Sequence, residues 1–461
     1  MLTPTNNSKI RWLLTLWLFV LSAVAYLDRV NISIAGPLLQ REFHLSKIQL
    51  GWIFSAFLGG YALFQTPGGR LADRLGARRI LFFGVLWWGA FTALTAIVPS
   101  GFSFALLAFV CLRFALGAGE AVIYPASNQF VSRWIPSAER GVANGLIFSG
   151  VGVGAGFTPP LITFLMLRYG WRASFVVCAF VGLLAGLLWF LMARNSPEEH
   201  PHVSAGELSL IRSGLPSAKE RAPLISWSRM LRSRDVLAVT FSYFTFGYVA
   251  WIFFSWFYIY LAEVRGLNLK TSALYTTLPF ISMAICSPLG GWVSDALAKS
   301  KGVRAGRSFV AAVAMVLAAG FLVIGSSAHD TRVAVLVLAG GAGALYLSQS
   351  SFWSVTAELG GASAGSVSGF MNMGNQIGGM ITASLTPWIA SQAGWTPAFL
   401  VAAGVCLCGA VAWLFVDPQR HLEIAGLPKG FSAVGYDINE TQSSENETKR
   451  NAVPWESSDA Q

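Results

Sequence analysis

Four ionisable side chains interrupt apolar segments of this sequence and are the residues best suited to chemistry. Asp28 and Arg29 are neighbours in the first long apolar segment, and Arg113 and Glu120 lie in the fourth. Arg113 and Glu120 are seven residues apart, close to two helical turns, so on one helix they share a face about 10 Å apart. Two acids and two arginines cancel in charge. The group is therefore either a self-neutralising structural cluster or a functional site.

The functional interpretation pairs an arginine that holds an anion with a carboxyl group that carries a proton. A guanidinium stays charged when buried and can hold a carboxylate through two parallel hydrogen bonds. Burial favours the protonated form of a carboxyl group, whereas a neighbouring arginine favours its ionised form. Such a carboxyl group releases its proton when an arginine approaches and rebinds it when a substrate anion occupies that arginine. The pattern predicts coupling between proton transfer and anion binding.

The elements that must position these charges are apolar segments of membrane-spanning length. Of 461 residues, 54% are hydrophobic and 12% are charged, whereas soluble domains contain about 25% charged residues. Twelve segments are long enough to cross a hydrocarbon core of about 30 Å as helices. They are 12–34, 48–68, 80–98, 103–127, 141–165, 171–193, 235–262, 271–293, 308–327, 332–353, 364–390 and 396–416. We predict an all-α membrane protein of twelve transmembrane helices in two six-helix bundles.

Polar segments divide the predicted spans into domains and set their orientation. The expected order is a cytoplasmic tail (1–11), an N-terminal bundle (12–193), a cytoplasmic linker (194–234), a C-terminal bundle (235–416) and a disordered cytoplasmic tail (417–461). Lys and Arg are concentrated in the segments on the side of both termini. The positive-inside rule then predicts cytoplasmic termini in a plasma membrane, as in a bacterial inner membrane. The net charge of +10 follows from those segments and does not indicate nucleic-acid binding.

The two predicted bundles repeat each other. Landmarks recur at offsets of 222 and 224 residues: Gly69 and Asp73 as Gly291 and Asp295, and Gly145 and Trp171 as Gly369 and Trp395. Parallel repeats of this kind place a substrate site near the midplane, between the halves.

Several motifs resemble one transporter family. The loop 69–79 carries the pattern Gly-xxx-Asp-Arg-x-Gly-x-Arg-Arg, which resembles the loop signature of the major facilitator superfamily. Segments 26–31, 113–121 and 133–141 look like its anion:cation symporter family, and the match covers about residues 10–420. That family includes bacterial carriers of sugar acids and other organic acids. The resemblance implies the major facilitator fold and import of a small organic anion with protons.

The resemblance also implies roles for particular residues. Asp28 and Glu120 would be the proton-coupling pair. The substrate would be bound by Tyr26, Arg29, Tyr61, Arg113, Tyr243, Trp353 and Asn372. The gating charge network would contain Asp73, Arg74, Arg78 and Arg79, with Arg133 or Arg140 as partners. Around Asp295 the second copy of the loop pattern is degenerate.

Two positions depart from the sugar-acid carriers. Tyr243 stands where several of them have glutamine, and Gly152 stands where an amide is common. Fewer amides mean less capacity to bind hydroxyl groups, which leaves room for an aromatic or simpler acid.

Other functions compete with import of an anion. The glycine-rich fifth span is similar to that of drug/proton antiporters, which would export a hydrophobic or anionic compound, but Pro159 and Pro160 and the intramembrane arginines fit an importer better. A non-transporting membrane sensor would bind a ligand without flux and would need a signalling partner for segment 194–234. An enzyme is not expected, because the sequence has no nucleophile with a base and no phosphate-binding loop. We expect no cofactor and no metal site, since the cysteines lie in apolar segments and the histidines in polar connections. The expected partners are the organic anion, protons and the lipid bilayer, and we expect a monomer.

Overall fold

The computed structural model describes residues 8–213, 225–257, 260–267 and 269–420, and within these ranges the regular elements are all helices. The first half consists of α1 (Ile10–Phe43), α2 (Lys47–Leu75), α3 (Ala77–Ile97), α4 (Ala105–Glu120), α5 (Ile123–Trp134), α6 (Arg140–Tyr169) and α7 (Trp171–Met192). The linker contains α8 (Ala205–Ser213) and α9 (Trp227–Arg232). The second half consists of α10 (Arg234–Ser255), α11 (Leu269–Lys301), α12 (Val310–Ser327), α13 (Thr331–Leu347), α14 (Gln349–Gly360), α15 (Ala364–Ala393) and α16 (Trp395–Ala412).

These helices form twelve spans, because α4 continues into α5 and α13 continues into α14. Ten stretches of the described residues are long and apolar enough to cross a membrane, and one of them, 331–393, contains two spans. The remaining span is α2, which has 29 residues. The prediction of an all-α membrane fold is confirmed. Most of the predicted tail 417–461 and residues 1–7 lie outside the described residues.

The fourth span of each half is interrupted near the middle of the bundle. In the first half the break follows Glu120, where α4 ends. Pro125 causes it, because proline lacks the N–H that would bond to the carbonyl of residue 121 and its ring clashes with that carbonyl. In the second half the break lies at Ser348, whose hydroxyl donates to Leu345 O at 2.6 Å. Both breaks place polar side chains beside the space between the halves.

The linker is attached to both halves at one end of the bundle, which we call the linker face. Glu207 of α8 accepts hydrogen bonds from the backbone N–H groups of Ile10 and Arg11, both at 3.1 Å. It thereby caps the first turn of α1 with a negative charge. The backbone of Ile225 joins the halves, since its N–H donates to Ser363 (2.9 Å) and its carbonyl accepts from Arg70 (2.7 Å).

Candidate substrate site

A small central cavity lies between the halves and is lined by both. Its lining residues are Tyr26, Arg29, Tyr124, Phe148, Val151, Tyr243, Phe246, Ala250, Trp251, Phe254, Tyr346, Gln349, Asn372, Asn375 and Gln376. The cavity volume is about 20 Å³, which is room for about one water molecule. The halves are therefore closed around their centre in this conformation, and a substrate needs them to separate.

Arg29 and Glu120 meet at the edge of this cavity as a buried, hydrogen-bonded ion pair. The Arg29 guanidinium also lies over the rings of Tyr26 and Tyr61, at 4.6 and 4.4 Å from their centroids. Among the described residues, Arg29 Nη2 and Glu120 Oε2 have no hydrogen-bond partner. The pair therefore has one donor and one acceptor that are not yet hydrogen-bonded, and leaving a buried polar atom without a partner costs free energy. Arg29 can bind an anion, and Glu120 can bind a proton.

Asp28 and Arg113 are buried but do not line the cavity. Asp28 accepts a hydrogen bond from Thr92 at 3.4 Å. The Arg113 guanidinium lies 4.7 Å from the ring centroid of Phe57, and the Arg29 guanidinium lies 5.5 Å from the same centroid. An aromatic ring therefore contacts both arginines. Of the four predicted charges, the structure brings Arg29 and Glu120 into direct contact at the cavity.

The second half contributes Tyr243 and Asn372, two of the predicted substrate residues, to the lining of the cavity. Tyr243 Oη accepts hydrogen bonds from Gln349 Nε2 (2.8 Å) and Trp353 Nε1 (3.1 Å). Trp353 lies behind the lining and supports it through this bond. Asn372 donates to Gln65 Oε1 of the first half at 3.0 Å, so one amide pair joins the halves beside the cavity.

Sequence analysis missed the amides of Gln349, Asn375 and Gln376, which lie with Asn372 on the second-half wall. A signal was present, because residues 372, 375 and 376 share one helical face and polar groups within spans are functional candidates. Of the amides on this wall, the sequence-based prediction contained Asn372. These amides offset the absence of one at position 152, where a Cβ atom would lie 2.4 Å from the carbonyl oxygen of Phe280.

At the linker face, two aspartates hold helix N-termini of the opposite half. Asp73 accepts hydrogen bonds from the N–H groups of Gly365 (2.9 Å) and Ser366 (2.8 Å), at the start of α15. We call this the Asp73 contact. Asp295 accepts from the N–H groups of Gly141 (3.0 Å) and Val142 (2.7 Å), at the start of α6. This is the Asp295 contact, and the two are related by the internal repeat.

The predicted gating arginines lie at the linker face in different environments. Arg74 and Arg79 are exposed. Arg78 donates to the carbonyl oxygen of Phe190 at 2.9 Å and stacks on its ring. Arg140 donates to backbone carbonyl groups of residues 132 and 135. The structure therefore places Asp73 between the halves, while Arg74, Arg78 and Arg79 contact their own half or solvent, and Arg140 lies beside the Asp295 contact.

Arg307 and Glu358 reinforce the Asp295 contact and were missed by sequence analysis. Arg307 is fully buried in a π turn (Ala305–Phe309) that leads into α12. It forms ion pairs with Asp295 and with Glu358, the latter at 3.2 Å, and donates to Ser137 O at 2.9 Å. No sequence pattern marks a π turn, so the inward direction of this arginine could not be foreseen.

Comparison with known proteins identifies the fold family. The model of the Major Facilitator Superfamily matches residues 18–383 and 361–456. This chain belongs to the major facilitator superfamily. A probable sulfoacetate transporter of Cupriavidus necator is 34% identical over 398 residues, which cover 86% of this chain and 91% of that protein. A hexuronate transporter of Bacillus subtilis is 31% identical, covering 91% and 96%. The D-galactonate transporter of Escherichia coli is 29% identical, covering 90% and 97%.

Solved structures of the superfamily share this fold. The proton:xylose symporter XylE superposes with a TM-score of 0.71 at 16% identity, over 89% of this chain and 97% of that one. The fucose:proton symporter FucP of E. coli gives 0.62 at 20% identity, over 86% and 97%. The chain is a multi-pass membrane transporter and not an enzyme, and its relatives are consistent with the anion:cation symporter family.

Proposed function

We propose that this protein is a proton-coupled secondary transporter that imports a small organic anion, a sugar acid or other carboxylate, by alternating access. The observation that carries the proposal is the buried Arg29–Glu120 ion pair at the edge of the cavity. The names of the relatives support an organic anion, because they are transporters of sulfoacetate, hexuronate and D-galactonate.

Competition for Arg29 couples the two ions. Protonation of Glu120 removes its charge and leaves the Arg29 guanidinium without an ionised partner next to the cavity. A substrate anion then pairs with Arg29, because an unpaired buried charge is costly. Loss of the proton re-forms the Arg29–Glu120 pair and displaces the anion. The pair carries one net positive charge when it is ready to bind and none when the anion has left.

Asp28 is the second proposed proton site. It is buried near Arg113, and its Oδ1 atom has no hydrogen-bond partner among the described residues. In one stage of the transport cycle, Arg113 would keep Asp28 ionised. In another stage, it would help to position Arg29 through the Phe57 ring that both arginines contact. Two acids permit two protons for each anion, in which case membrane potential also drives uptake of a monoanion.

Access to the cavity from the linker face requires the Asp73 and Asp295 contacts to break. In this structure both are formed, so that face is closed. We propose that Arg74, Arg78 and Arg79 act with Asp73 in gating. The positive-inside distribution of Lys and Arg supports placing the linker face and both termini in the cytoplasm of a bacterial cell. We propose that the protein acts as a monomer.

The experiment that tests the function is uptake into proteoliposomes. Purified protein should accumulate at least one acid from a panel of sugar, aromatic and aliphatic carboxylic acids when the proton gradient is directed inward. A panel without any gradient-dependent uptake would defeat the proposal. Efflux driven by the same gradient would instead indicate export, and binding without flux would indicate a sensor.

The proton-coupling role of Glu120 has its own variant test. Glu120→Gln imitates the protonated form, so it should keep counterflow of the substrate and lose gradient-driven accumulation. Glu198→Gln, at a linker position, is the matched control and should behave as the unchanged protein. Unaltered accumulation by Glu120→Gln would remove Glu120 from the mechanism.

A further inference from the structure

We infer that Cys178 and Asn31 position the carboxyl group of Asp28 for proton transfer, with the Cys178 thiol as the donor that stabilises its ionised form. This inference rests on the proposed function, in which Asp28 is the second proton site, and it adds two positioning residues to that site. Neither of them belongs to the cavity lining. The inference follows from a buried row of polar groups between α1 and α7.

The polar row lies inside the first half, where α1 packs against α7. Its members Asn31, Ser174 and Cys178 are fully buried. The Ser174 hydroxyl bonds to Asn31 Oδ1 (2.8 Å) or to the carbonyl oxygen of Trp171 (2.7 Å). Asn31 Nδ2 donates to Cys178 Sγ at 3.6 Å, and the thiol lies beside the Asp28 carboxyl group. Polar side chains therefore connect Ser174 to Asp28.

The direction of these bonds determines what the thiol can do. Because the Asn31 amide donates to the sulfur atom, the sulfur is the acceptor in that contact, and the single hydrogen of the thiol remains for another acceptor. Asp28 provides one, since its Oδ1 atom is buried and lacks a hydrogen-bond partner in the part of the chain that the structure describes. A donor to a carboxylate favours its ionised form. The thiol therefore helps Asp28 to release its proton.

Other groups act on Asp28 from different directions. Thr92 of α3 donates to Oδ2, the other carboxylate oxygen. Arg113 and Glu120 of α4 act on it through charge, and Glu120 is paired with Arg29. Cys178 is the contribution of α7. All these elements belong to the first half, so the polar row does not need to break when the halves separate.

A buried cysteine can also be a small apolar side chain that only fills space. The packing of Cys178 against Leu27 and Ile162 agrees with this. The two interpretations differ in their consequence for proton binding. A space-filling side chain can be exchanged for alanine or serine without changing how uptake depends on pH, whereas a donor to Asp28 cannot.

The pH dependence of uptake tests the inference on the full chain in proteoliposomes. The probe is D-galactonate or, if it is not carried, the acid of the panel that the unchanged protein accumulates best. Cys178→Ala removes the donor, so Asp28 binds a proton more readily, and the external pH of half-maximal uptake should rise by about 0.5–1 unit. Cys178→Ser supplies a stronger donor at the same place and should lower that pH by about 0.5 unit.

The second half provides a matched control. Cys406 is a fully buried cysteine of α16, and its thiol donates to the carbonyl oxygen of Met315 at 3.3 Å. Cys406→Ala and Cys406→Ser should leave the pH of half-maximal uptake unchanged. Asn31→Leu keeps the size of the side chain and removes the amide, so it should shift this pH in the same direction as Cys178→Ala. It tests the polar row even if a Cys178 variant does not fold.

The inference and the proposed function fail in different ways. Gradient-driven uptake with the same pH dependence in the unchanged protein and in the folded variants of Cys178 and Asn31 would overturn the inference and leave the proposed function intact. Shifts in the same direction for Cys178→Ala and Cys178→Ser would also overturn the inference. Absence of gradient-driven uptake for every acid in the panel would overturn the proposed function.

Discussion

The Asp73 and Asp295 contacts use the same backbone arrangement and are reinforced in different ways. In each, a carboxylate at the end of one helix binds the free N–H groups at the start of a helix in the other half. The Asp295 contact adds the buried Arg307 and Glu358. Beside the Asp73 contact, the linker backbone at Ile225 bonds to Arg70 and Ser363.

The difference shows that the more conspicuous motif need not have the more buried ion pairs. The loop after α2 has the full basic signature, yet Arg74 and Arg79 are exposed. The degenerate loop after α11 belongs to the contact with a buried arginine bound to two acids. Duplicated halves keep the helix-terminus contact because the repeat fixes its geometry, while the side chains around it diverge.

The largest expected effect is at Arg307. Arg307→Met should destabilise the protein by about 3–5 kcal/mol, because Asp295 and Glu358 stay buried without their shared cation. Thermal unfolding in detergent measures this loss. Arg304→Met, at an exposed position of the same connection, is the control and should lie within about 0.5 kcal/mol of the unchanged protein. A small effect at Arg307 would mean that the Asp295 contact does not depend on its charges.

Matched substitutions of the two aspartates sharpen the comparison directly. Asp295→Asn should cost about 2–3 kcal/mol, since it removes one of the two acids paired with Arg307. Asp73→Asn should cost about 1 kcal/mol, which is the usual value for a charge at a helix N-terminus. Unfolding of both variants under one set of conditions gives the difference. Equal costs would show that Arg307 adds nothing to the Asp295 contact.

Glycine substitutions should affect the two contacts equally, because the backbone approach is the same. A Cβ atom at Gly141 would lie 2.7 Å from the carbonyl oxygen of Gly291, and one at Gly365 would lie 2.6 Å from that of Gly69. Gly141→Ala and Gly365→Ala should each lower the free energy of unfolding by about 1–3 kcal/mol. They should also increase the labelling of cysteines introduced between the cavity and the linker face. Gly156→Ala, where a Cβ atom meets nothing within 4 Å, is the control. Unequal effects would show that the repeat is not preserved here.

The smallest expected effect is at the linker. Arg70→Met removes the hydrogen bond to the carbonyl of Ile225 and should cost about 0.5–1.5 kcal/mol, with a modest increase in the same cysteine labelling. Lys301→Met, which changes an exposed cation at the C-terminal end of α11, is the control and should have no measurable effect. A labelling change as large as that of Gly365→Ala would show that the linker, rather than the Asp73 contact at the helix terminus, mainly keeps the linker face closed.

The fold was predictable from sequence because membrane spans need long apolar segments, and the offset between Gly69 and Gly291 exposed the repeat. The apolar segments underestimated helix length, since α1 continues beyond position 34 to Phe43, and its last turn contains Gln40, Arg41 and Glu42. The Arg29–Glu120 pair could be anticipated because buried charges need partners. The amides of the second-half wall carried a spacing signal, since residues 372, 375 and 376 share one helical face. The inward direction of Arg307 depended on a π turn, which neither hydropathy nor residue spacing specifies.

The capping of α1 by Glu207 changes where the chain should be divided for fragment complementation. A fragment that stops at residue 193 leaves the first turn of its first helix without its cap and Arg11 without one of its two acids. A fragment that continues through α8 to residue 213 keeps both. Co-expressed pieces 1–213 and 214–461 should therefore assemble into a transporter more efficiently than pieces divided at the end of α7.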